Sequence, residues 1–383
     1  MQPGKLKLLG MLAVIVLGVV AGCGGDDDNG GGGGSSSAGN KDVKVALLAT
    51  GAVNNRSWAN SWADGAKQAA KDLGIEVTTV GNVETPDQYT QQGSSFAAKG
   101  YDLIIFAHGA MNDPAVKLAK QFPNVKFVQA PYEFVDKSEQ ASQPPNLGHV
   151  DFKQEQGSFL AGALAGMVTK ANKVAAVYAF PFPALTRQPE AYSLGARCTN
   201  PSVKFSQKAT NSFTDAALAR AAASSLYSAG NDVVFSAVDQ AVQGIIAAAN
   251  SSSTKPAYVI ASYFDQHDLG PKVVLTSVLY NLDGVAQDII KTYVDGKIGD
   301  HWYKDYDLAN GDVGKLAPYQ NLSSAVSDAD QKTLDTITEA VKNGDIKVPD
   351  AVTGDPTIGK PGTAAKIDPK SIGCTADMQK AGQ

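Results

Sequence analysis

The hydrophobic pattern of the chain switches repeatedly between strand and helix spacing from residue 41 to residue 262. Short apolar runs bounded by polar or turn-forming residues predict buried strands. Stretches with apolar residues three or four positions apart predict the helices between those strands. The predicted strands of the first half are Val43–Ala49, Ile75–Val80, Asp102–Ala107 and Lys126–Ala130, and its predicted helices begin near Ser57, Pro86 and Pro114.

The same alternation recurs in the second half, after a predicted helix over Glu155–Lys170. The next predicted elements are the strands Val174–Tyr178, Val203–Ser206, Asp232–Ala237 and Tyr258–Ala261 and the Ala-rich helices Asp215–Ala229 and Ala241–Asn250. Strands and helices that alternate in this way form a parallel sheet covered by helices. Because each half has roughly 110 residues, the size of one domain, the sequence predicts two doubly wound parallel-sheet α/β lobes.

Residues 1–22 have the pattern of a signal peptide. Lys5 and Lys7 precede the uncharged apolar stretch Leu8–Ala21, which is too short for a comfortable membrane span. Val20-Ala21-Gly22-Cys23 then looks like the lipobox of bacterial lipoproteins, in which the cysteine thiol receives a diacylglycerol. That lipid, together with an acyl chain on the new amino terminus, would anchor the protein stably to a bacterial membrane. The alternative is an ordinary secretion signal in which Cys23 is incidental.

Residues 23–40 are therefore expected to be the lipidated cysteine and a flexible linker. Positions 24–40 contain only Gly, Asp, Asn and Ser apart from one Ala, so they have no side chains with which to build a core. A chain of this kind and length spans roughly 20–25 Å on average. We expect the folded part to begin near Lys41 and to lie outside the cytoplasm, at the outer face of the cell membrane or in the periplasm.

Composition and charge argue against several classes of function. The net charge of −5 leaves no basic excess to neutralise phosphates, which argues against nucleic-acid binding. Four His and three Cys, with no H-x-x-x-H pair, are too few for a zinc framework. The motifs G-x-S-x-G, H-E-x-x-H and C-x-x-C are absent, so we expect no catalytic site, metal or cofactor. Gly354–Lys360 nearly matches a phosphate-binding loop, but Pro361 stands where that loop needs Ser or Thr.

Two cysteines remain once Cys23 is acylated. Export places Cys198 and Cys374 in an oxidising compartment, where an even number of cysteines most simply forms disulfides. One bridge between them would hold the C-terminal tail against the middle of the chain. The alternative is two free buried thiols.

Several short segments between residues 43 and 349 resemble the motifs of a known protein family. Each is weak alone, but they occur in the same order as in that family. They are Asn55-Arg56-Ser57-Trp58 with Asp64-Gly65, Asp102–Ile105 with Pro123–Phe127, Gly157–Gly162, Asn211–Asp215, Leu275–Val278 and Asn343–Pro349. Together they resemble the D-K-S-F-N…E-G, E-G-S-Y-L-A-G and G-S-F-x-D signatures and the later segments of the basic membrane protein family. That family comprises the substrate-binding lipoproteins of ABC importers and has the type I periplasmic-binding-protein fold.

This resemblance implies a Venus-flytrap architecture, in which two lobes close over a ligand on a hinge of three crossovers. On this basis we expect the crossovers near residues 150, 262 and 297. The N-terminal lobe would then be formed by residues 41–150 plus 263–297. Residues 151–262 plus 298–383 would form the C-terminal lobe with its tail.

The resemblance also implies that the small-molecule ligand is a purine and that the partners are an ABC permease and its ATPase. In the family the base lies between two aromatic side chains, which match Trp58 and Phe213 here. Stacking of this kind is worth roughly 1–3 kcal/mol per base. Core packing beside Trp62 is the alternative for Trp58.

Departures from the family pattern bear on ribose recognition. Tyr263 stands where the family has the Asp that holds the ribose hydroxyls, Tyr280 replaces a Lys, and Ala59 replaces an Asn. A tyrosine ring fills the space in which an aspartate would accept hydrogen bonds from the sugar. The sequence therefore favours a free purine base over its nucleoside.

Resemblance to a branch of the family that takes free purine bases implies further ligand contacts. The A-F-P-x-P segment and Tyr280-Asn281 are similar to that branch and add Phe182 and Asn281. Asp239 matches a T-D-S of the branch and could accept hydrogen bonds from a ligand amino group or ring N–H. The alternative for Asp239 is a helix N-cap before Ala241. His108, beside a glycine in a loop, is expected to be a polar residue of the cleft.

Three other functions stay open at this point. The sequence also permits a sugar receptor, a surface nucleosidase or other hydrolase, and a receptor that signals without transport. A hydrolase would need an organised acid and base in the cleft, and the motifs do not indicate one. We expect a monomer.

Replacing Cys23 tests the anchor. We expect Cys23→Ser to yield unprocessed or unlipidated protein, because only a thiol forms the thioether to the lipid. Detergent partitioning and the intact mass of the purified protein measure the effect. Mature mass together with partitioning into detergent in this variant would contradict the lipobox.

Overall fold

A computed structural model describes residues 42–54, 58–132, 137–350 and 358–379 of the chain. The first part contains β1 (Lys44–Ala49), α1 (Trp58–Leu73), β2 (Glu76–Val80), α2 (Pro86–Ala98), β3 (Leu103–Ala107), α3 (Asn112–Gln121), β4 (Lys126–Gln129), α4 (Lys137–Ser142) and β5 (Leu147–Phe152). The second contains α5 (Gln154–Val168), β6 (Lys173–Tyr178), α6 (Pro183–Thr199), β7 (Lys204–Ala209), α7 (Ala216–Ser228), β8 (Val233–Ala237), α8 (Val242–Ser251), β9 (Tyr258–Tyr263) and β10 (Val274–Leu279). The last contains α9 (Leu282–Val294), β11 (Tyr303–Tyr306), β12 (Lys315–Leu316) and α10 (Asp328–Lys342).

The strands form two six-stranded sheets, one in each lobe. The first has the order β11-β5-β4-β3-β1-β2 and is parallel throughout, while the second has the order β12-β10-β9-β8-β6-β7. In the second sheet only the short edge strand β12 runs antiparallel among the strands described. Every residue of β3 and of β8 is buried, as expected for parallel strands with helices on both faces. The two predicted α/β lobes are therefore confirmed.

The second lobe is built around two helices that approach each other very closely. A Cβ atom at Gly162 of α5 would lie 1.9 Å from the Tyr192 carbonyl oxygen of α6, and one at Gly195 would lie 2.0 Å from the Phe159 oxygen. Only glycine allows this approach. As a result α6 is buried along almost its whole length and carries polar side chains into the interior.

Three connections cross between the lobes, and two lie elsewhere than the sequence predicted. The crossover expected near residue 150 follows β5, at residue 153. The one expected near 262 follows β10 instead, because β10 pairs with β9 in the second sheet. The one expected near 297 lies after β11, which pairs with β5 in the first sheet. The reason is that β9 and β10 are joined without an α-helix, so β10 extends the second sheet by one more strand before the chain crosses.

A buried ion pair joins the lobes at the first crossover. Arg187 of α6 donates to both carboxylate oxygens of Asp151 of β5, at 2.9 and 3.2 Å, and to the Phe152 carbonyl oxygen at 2.7 Å. Glu155 lies 3.4 Å from the same guanidinium on the α5 side, and Arg187 and Asp151 are completely buried. One arginine of the second lobe thus binds the end of a strand in the first.

The C-terminal tail is fastened to α6. Cys198 and Cys374 form a disulfide with their Cα atoms 5.6 Å apart, which is the pairing that the sequence favoured. The Glu190 carboxylate accepts hydrogen bonds from the backbone N–H groups of Gly362 and Ala364. Arg197 donates to the carbonyl oxygen of Ile367 at 2.9 Å. The tail therefore covers one side of the helix whose other side meets the hinge.

The predicted signal peptide, Cys23, the linker and the segment Asn55-Arg56-Ser57 lie outside the described residues, as does most of the Gly354–Lys360 segment. Within the described ranges, none of the helices has the length and apolar character that crossing a membrane requires.

Peptide mapping tests the tail. Without reductant we expect Cys198 and Cys374 in one linked peptide. Cys374→Ser should lower the free energy of unfolding by about 2–5 kcal/mol, because the bridge closes a long loop in the unfolded chain. Mass spectrometry and urea unfolding measure both effects, with the neighbouring Thr375→Ser as control. Alkylation of both cysteines in unreduced protein would contradict the bridge.

Candidate functional site

A cleft of about 270 Å³ opens where the carboxyl ends of the two parallel sheets meet. Most of its lining residues follow directly on a strand, which is where α/β proteins place their ligands. The first lobe contributes Thr50 and Gly51 after β1, Glu84 after β2, His108 and Gly109 after β3 and Pro131 after β4, together with Trp58 of α1. The second contributes Phe180 and Phe182 after β6, Asn211 to Thr214 after β7, Asp239 after β8 and Tyr263 of β9, together with Gln154, Ala184 and Leu185.

Trp58 lies at the start of α1, with one part in the cleft and the rest in the core. Its indole N–H donates to the Ala107 carbonyl oxygen at 2.8 Å, which fixes the ring against the end of β3. It packs edge-on against Phe152 and Tyr263 at centroid distances of 5.9 and 5.8 Å. Only 9% of the residue is exposed. Trp58 therefore both lines the cleft and packs in the core, and its contact with a ligand stays a prediction.

Phe213 belongs to an aromatic wall on the opposite lobe. Its ring lies 5.0 Å from that of Phe180, whose ring lies 6.4 Å from that of Phe182 in a nearly parallel orientation. All three are partly buried against the core of the second lobe and line the cleft. The cleft therefore has aromatic side chains on both lobes, with Trp58 facing it from the first and this wall from the second.

Two carboxylates provide the acidic character of the cleft. Burial raises the pKa of Asp239 to about 6, although a long 3.4 Å contact from the Trp58 backbone N–H opposes the shift and nearby Glu84 adds to it. Glu84 accepts hydrogen bonds from the Thr50 hydroxyl at 2.6 Å and from the Gly51 N–H at 2.8 Å. Both groups can accept N–H hydrogen bonds from a ligand, and Asp239 does so best once it has lost its proton.

His108 is a neutral polar group in the same cleft. Burial lowers its pKa to about 4, and the charge of Glu84 offsets only part of that shift. Its Nδ1 accepts a hydrogen bond from the Ala110 N–H at 3.0 Å, so the ring proton resides on Nε2. The ring also packs edge-on against Tyr89 at 5.9 Å. His108 can therefore act as a hydrogen-bond donor at neutral pH, while its low pKa disfavours a role as general acid.

Tyr263 occupies the cleft in a backbone conformation that bulky residues rarely adopt. Its φ angle is +80° and its side chain is buried against Trp58 on one side and Tyr280 on the other. A residue of this size is held in the left-handed region only when its surroundings fix it there, and such positions are frequent at functional sites. The ring therefore occupies a fixed volume between the lobes.

Tyr280 and Asn281 were predicted as ligand contacts, and the structure places both outside the lining of the cleft. Tyr280 is completely buried behind Tyr263, and its hydroxyl donates to the Gln188 side-chain oxygen at 3.0 Å. Asn281 begins α9 with φ +46° and donates to the Gly311 carbonyl oxygen at 2.7 Å, on the third crossover. Neither lines the cleft. Both lie on the second crossover, which follows β10 instead of lying near residue 262.

The sequence analysis did not propose several residues that line the cleft, and Glu84, Gln154 and Phe180 are the ones that bear most on ligand recognition. Glu84 and Phe180 follow predicted strands within four residues, and that position is the signal that could have identified them. Gln154 follows β5, a strand that the hydrophobic pattern did not predict. Among the described residues, no three His, Cys, Asp or Glu side chains come together as a metal site would require.

Comparison with known proteins agrees with this geometry. Residues 42–351 match the Bmp family, described as ABC transporter substrate-binding protein PnrA-like. The CD4+ T-cell-stimulating antigen of Listeria monocytogenes is 27% identical, over 81% of this chain and 89% of that protein. The ABC transporter nucleoside-binding protein BmpA of Lactococcus lactis is 26% identical, over 80% of this chain and 89% of that protein. A solute-binding protein structure from Aeropyrum pernix has a TM-score of 0.68 at 18% identity, over 80% and 92% of the two chains, a likeness of fold.

The pKa of Asp239 predicts a pH dependence of stability. Its value rises from 3.8 unfolded to about 6 folded, so the folded state binds more protons between these values and loses stability as pH rises through them. Relative to Asp239→Asn, the unliganded protein should lose about 2 kcal/mol of unfolding free energy between pH 4.5 and 7.5. Urea unfolding at both pH values measures the free energy of unfolding. Comparison with the variant removes the pH dependence that His108 contributes to both proteins. Equal pH dependence in both proteins would contradict the shift.

Proposed function

Because the chain belongs to the Bmp family of PnrA-like ABC transporter substrate-binding proteins, we propose that it binds a purine base in the cleft between its lobes. The observation that carries the proposal is the pair of aromatic surfaces, with Trp58 on one lobe and Phe213 on the other. A purine has two π faces and can be stacked from both sides when the lobes close. Substrate-binding proteins of this class serve an ABC permease and ATPase from outside the cytoplasm, and their task is binding, not catalysis.

The polar groups of the cleft suit the edges of a purine ring. Asp239 and Glu84 can accept hydrogen bonds from exocyclic amino groups or ring N–H groups, and neutral His108 can donate from Nε2. Each such hydrogen bond to a charged acceptor is worth roughly 1.5–3 kcal/mol in a protein interior. The chemistry of these groups therefore supports a neutral heteroaromatic ligand with several N–H donors.

Tyr263 supports a free base over its nucleoside. Its ring lies 5.8 Å from that of Trp58 and takes up space beside the stacking surface that a ribose would need. Its phenol can form hydrogen bonds but does not offer the two-oxygen acceptor that suits a sugar diol. The Lactococcus relative is named for nucleoside binding. A preference for the free base would therefore distinguish the ligand of this protein from the ligand of that relative.

Closure on the ligand follows from the arrangement of the crossovers. A ring that fills the cleft would contact both lobes at once and so stabilise the closed arrangement over others. The permease could then distinguish loaded from empty receptor by the closed surface. We further propose that the protein works as a lipid-anchored monomer, held by Cys23 to a bacterial membrane.

Calorimetry tests the ligand. We expect adenine, guanine or hypoxanthine to bind more tightly than the matching nucleoside, and Phe213→Ala to weaken base binding by about 1–3 kcal/mol through loss of one stacking surface. Tyr263→Asp should shift the preference toward the nucleoside, because it removes a ring and adds an acceptor for the diol.

Phe122→Ala, a partly buried phenylalanine away from the cleft, is the matched control and should leave affinity unchanged. Tighter binding of the nucleoside by the unmodified protein would overturn the preference for free bases. Absence of binding for every base and nucleoside would overturn the purine assignment itself.

A further inference from the structure

Gln154 is the cleft residue whose role neither the sequence motifs nor the stacking geometry explains. It is the first residue of α5, immediately after the first crossover, and only 3% of it is exposed. It lines the cleft alongside the aromatic groups. A buried amide beside a ligand space is a hydrogen-bonding group whose orientation decides what it can recognise.

The orientation of this amide is set by its neighbour Gln188. The Gln188 Nε2 lies 3.3 Å from the Ala184 carbonyl oxygen, and a carbonyl can only accept, so the amide nitrogen of Gln188 must be on that side. The same nitrogen donates to Oε1 of Gln154 at 2.8 Å. The other end of Gln188, its Oε1, accepts from the Tyr280 hydroxyl at 3.0 Å. Both polar ends of Gln188 are thus satisfied in one orientation only.

As a consequence, the Oε1 of Gln154 already accepts a hydrogen bond from Gln188, and its Nε2 can donate one to a ligand in the cleft. None of the described residues accepts a hydrogen bond from that nitrogen. The carboxylates of Glu84 and Asp239 offer acceptors when ionised, so they pair with ligand donors. The acceptor atoms of a bound ring need donors, and the Nε2 of Gln154, a residue that lines the cleft, is available to provide one.

We propose that Gln154 is a specificity-determining residue that donates an Nε2–H hydrogen bond to a ring nitrogen or carbonyl oxygen of a heteroaromatic ligand. Gln188 and Tyr280 are its positioning residues, because they hold the amide in the donating orientation. The proposal rests on the proposed function, since it concerns the same cleft and takes its ligand to be a planar nitrogen heterocycle.

An amide held in one orientation discriminates strongly. A ligand that lacks the matching acceptor leaves a buried N–H unpaired, and the amide cannot rotate to offer its oxygen without breaking the bond to Gln188. We therefore expect loss of one specific acceptor atom to weaken binding by roughly 10-fold or more.

The experiment is a cycle of ligand and protein changes measured by calorimetry. The ligands are hypoxanthine, its 1-, 3- and 7-deaza analogues, each with one ring nitrogen replaced by carbon, and unsubstituted purine, which lacks the carbonyl oxygen. In the unmodified protein one of these changes should cost about 10-fold or more in affinity. In Gln154→Met, which keeps the length but has no donor, that cost should fall to within about 3-fold.

Gln154→Glu is the second variant, because it keeps the size and the acceptor for Gln188 but loses the donor. It should reduce the same affinity ratio, which is the affinity for hypoxanthine divided by that for the weakened analogue. The proposal can therefore be tested even if Gln154→Met fails to fold. Tyr280→Phe frees one end of Gln188 and should reduce the ratio partly, by about 2–5-fold. Gln156→Met, the same substitution two residues along α5 and outside the cleft lining, should leave the ratio as it is.

The outcomes separate the two proposals. A ratio that falls in both Gln154 variants but not in Gln156→Met supports the role of Gln154. Equal weakening of every ligand by the Gln154 variants, with the ratio unchanged, would reduce Gln154 to a packing residue and overturn this inference while leaving the purine receptor intact. Failure of the unmodified protein to bind any of the rings would overturn the proposed function and this inference with it.

Discussion

The relation between the two lobes depends on one buried ion pair. Arg187 comes from the second lobe, yet its guanidinium is satisfied by Asp151 and by the backbone at the end of β5 in the first. Removing two charges from water is costly, and the hydrogen bonds from both terminal nitrogens of the guanidinium offset part of that cost. Loss of either partner would leave a buried charge and cost about 3–5 kcal/mol. The lobes therefore meet at a fixed point, and the rest of the interface is arranged around it.

Hinge and binding site share the same short segments. Gln188 follows Arg187 in α6 and orients Gln154, while Tyr280 reaches Gln188 from the second crossover and packs against Tyr263 in the cleft. The close packing of α5 on α6, which only glycine permits, keeps these side chains in register. A ligand that contacts the floor of the cleft therefore also contacts groups that are one hydrogen bond away from the hinge. Under the proposed function, binding and closure would therefore be coupled by the proximity of the cleft to the hinge.

The sequence predicted the lobes well because their strands are continuous apolar runs with clear turns, such as Asp102–Ala107. It did not predict β5 and α6, whose buried polar residues, Asp151 and Arg187 among them, have the pattern of a surface or loop. In the site, the resemblance identified Trp58, Phe213 and Asp239, all of which line the cleft. Tyr280 and Asn281 lie outside the cleft lining, and the sequence could not show this because a position in a motif does not reveal that the neighbouring crossover lies one strand later. Gln154 could not be found, since its role depends on a partner 34 residues away in the sequence.

The left-handed backbone at Tyr263 has a consequence for how this receptor could evolve. At an ordinary core position, replacing a large aromatic residue by glycine adds a backbone cost to the cavity that it leaves. Here glycine would adopt the φ of +80° without strain, so part of the lost packing energy would be offset by relief of the backbone. A single exchange could then enlarge the cleft while the fold survives. Under the proposed function, the residue proposed to exclude the ribose is thus also one whose replacement by glycine would open a route to a new specificity.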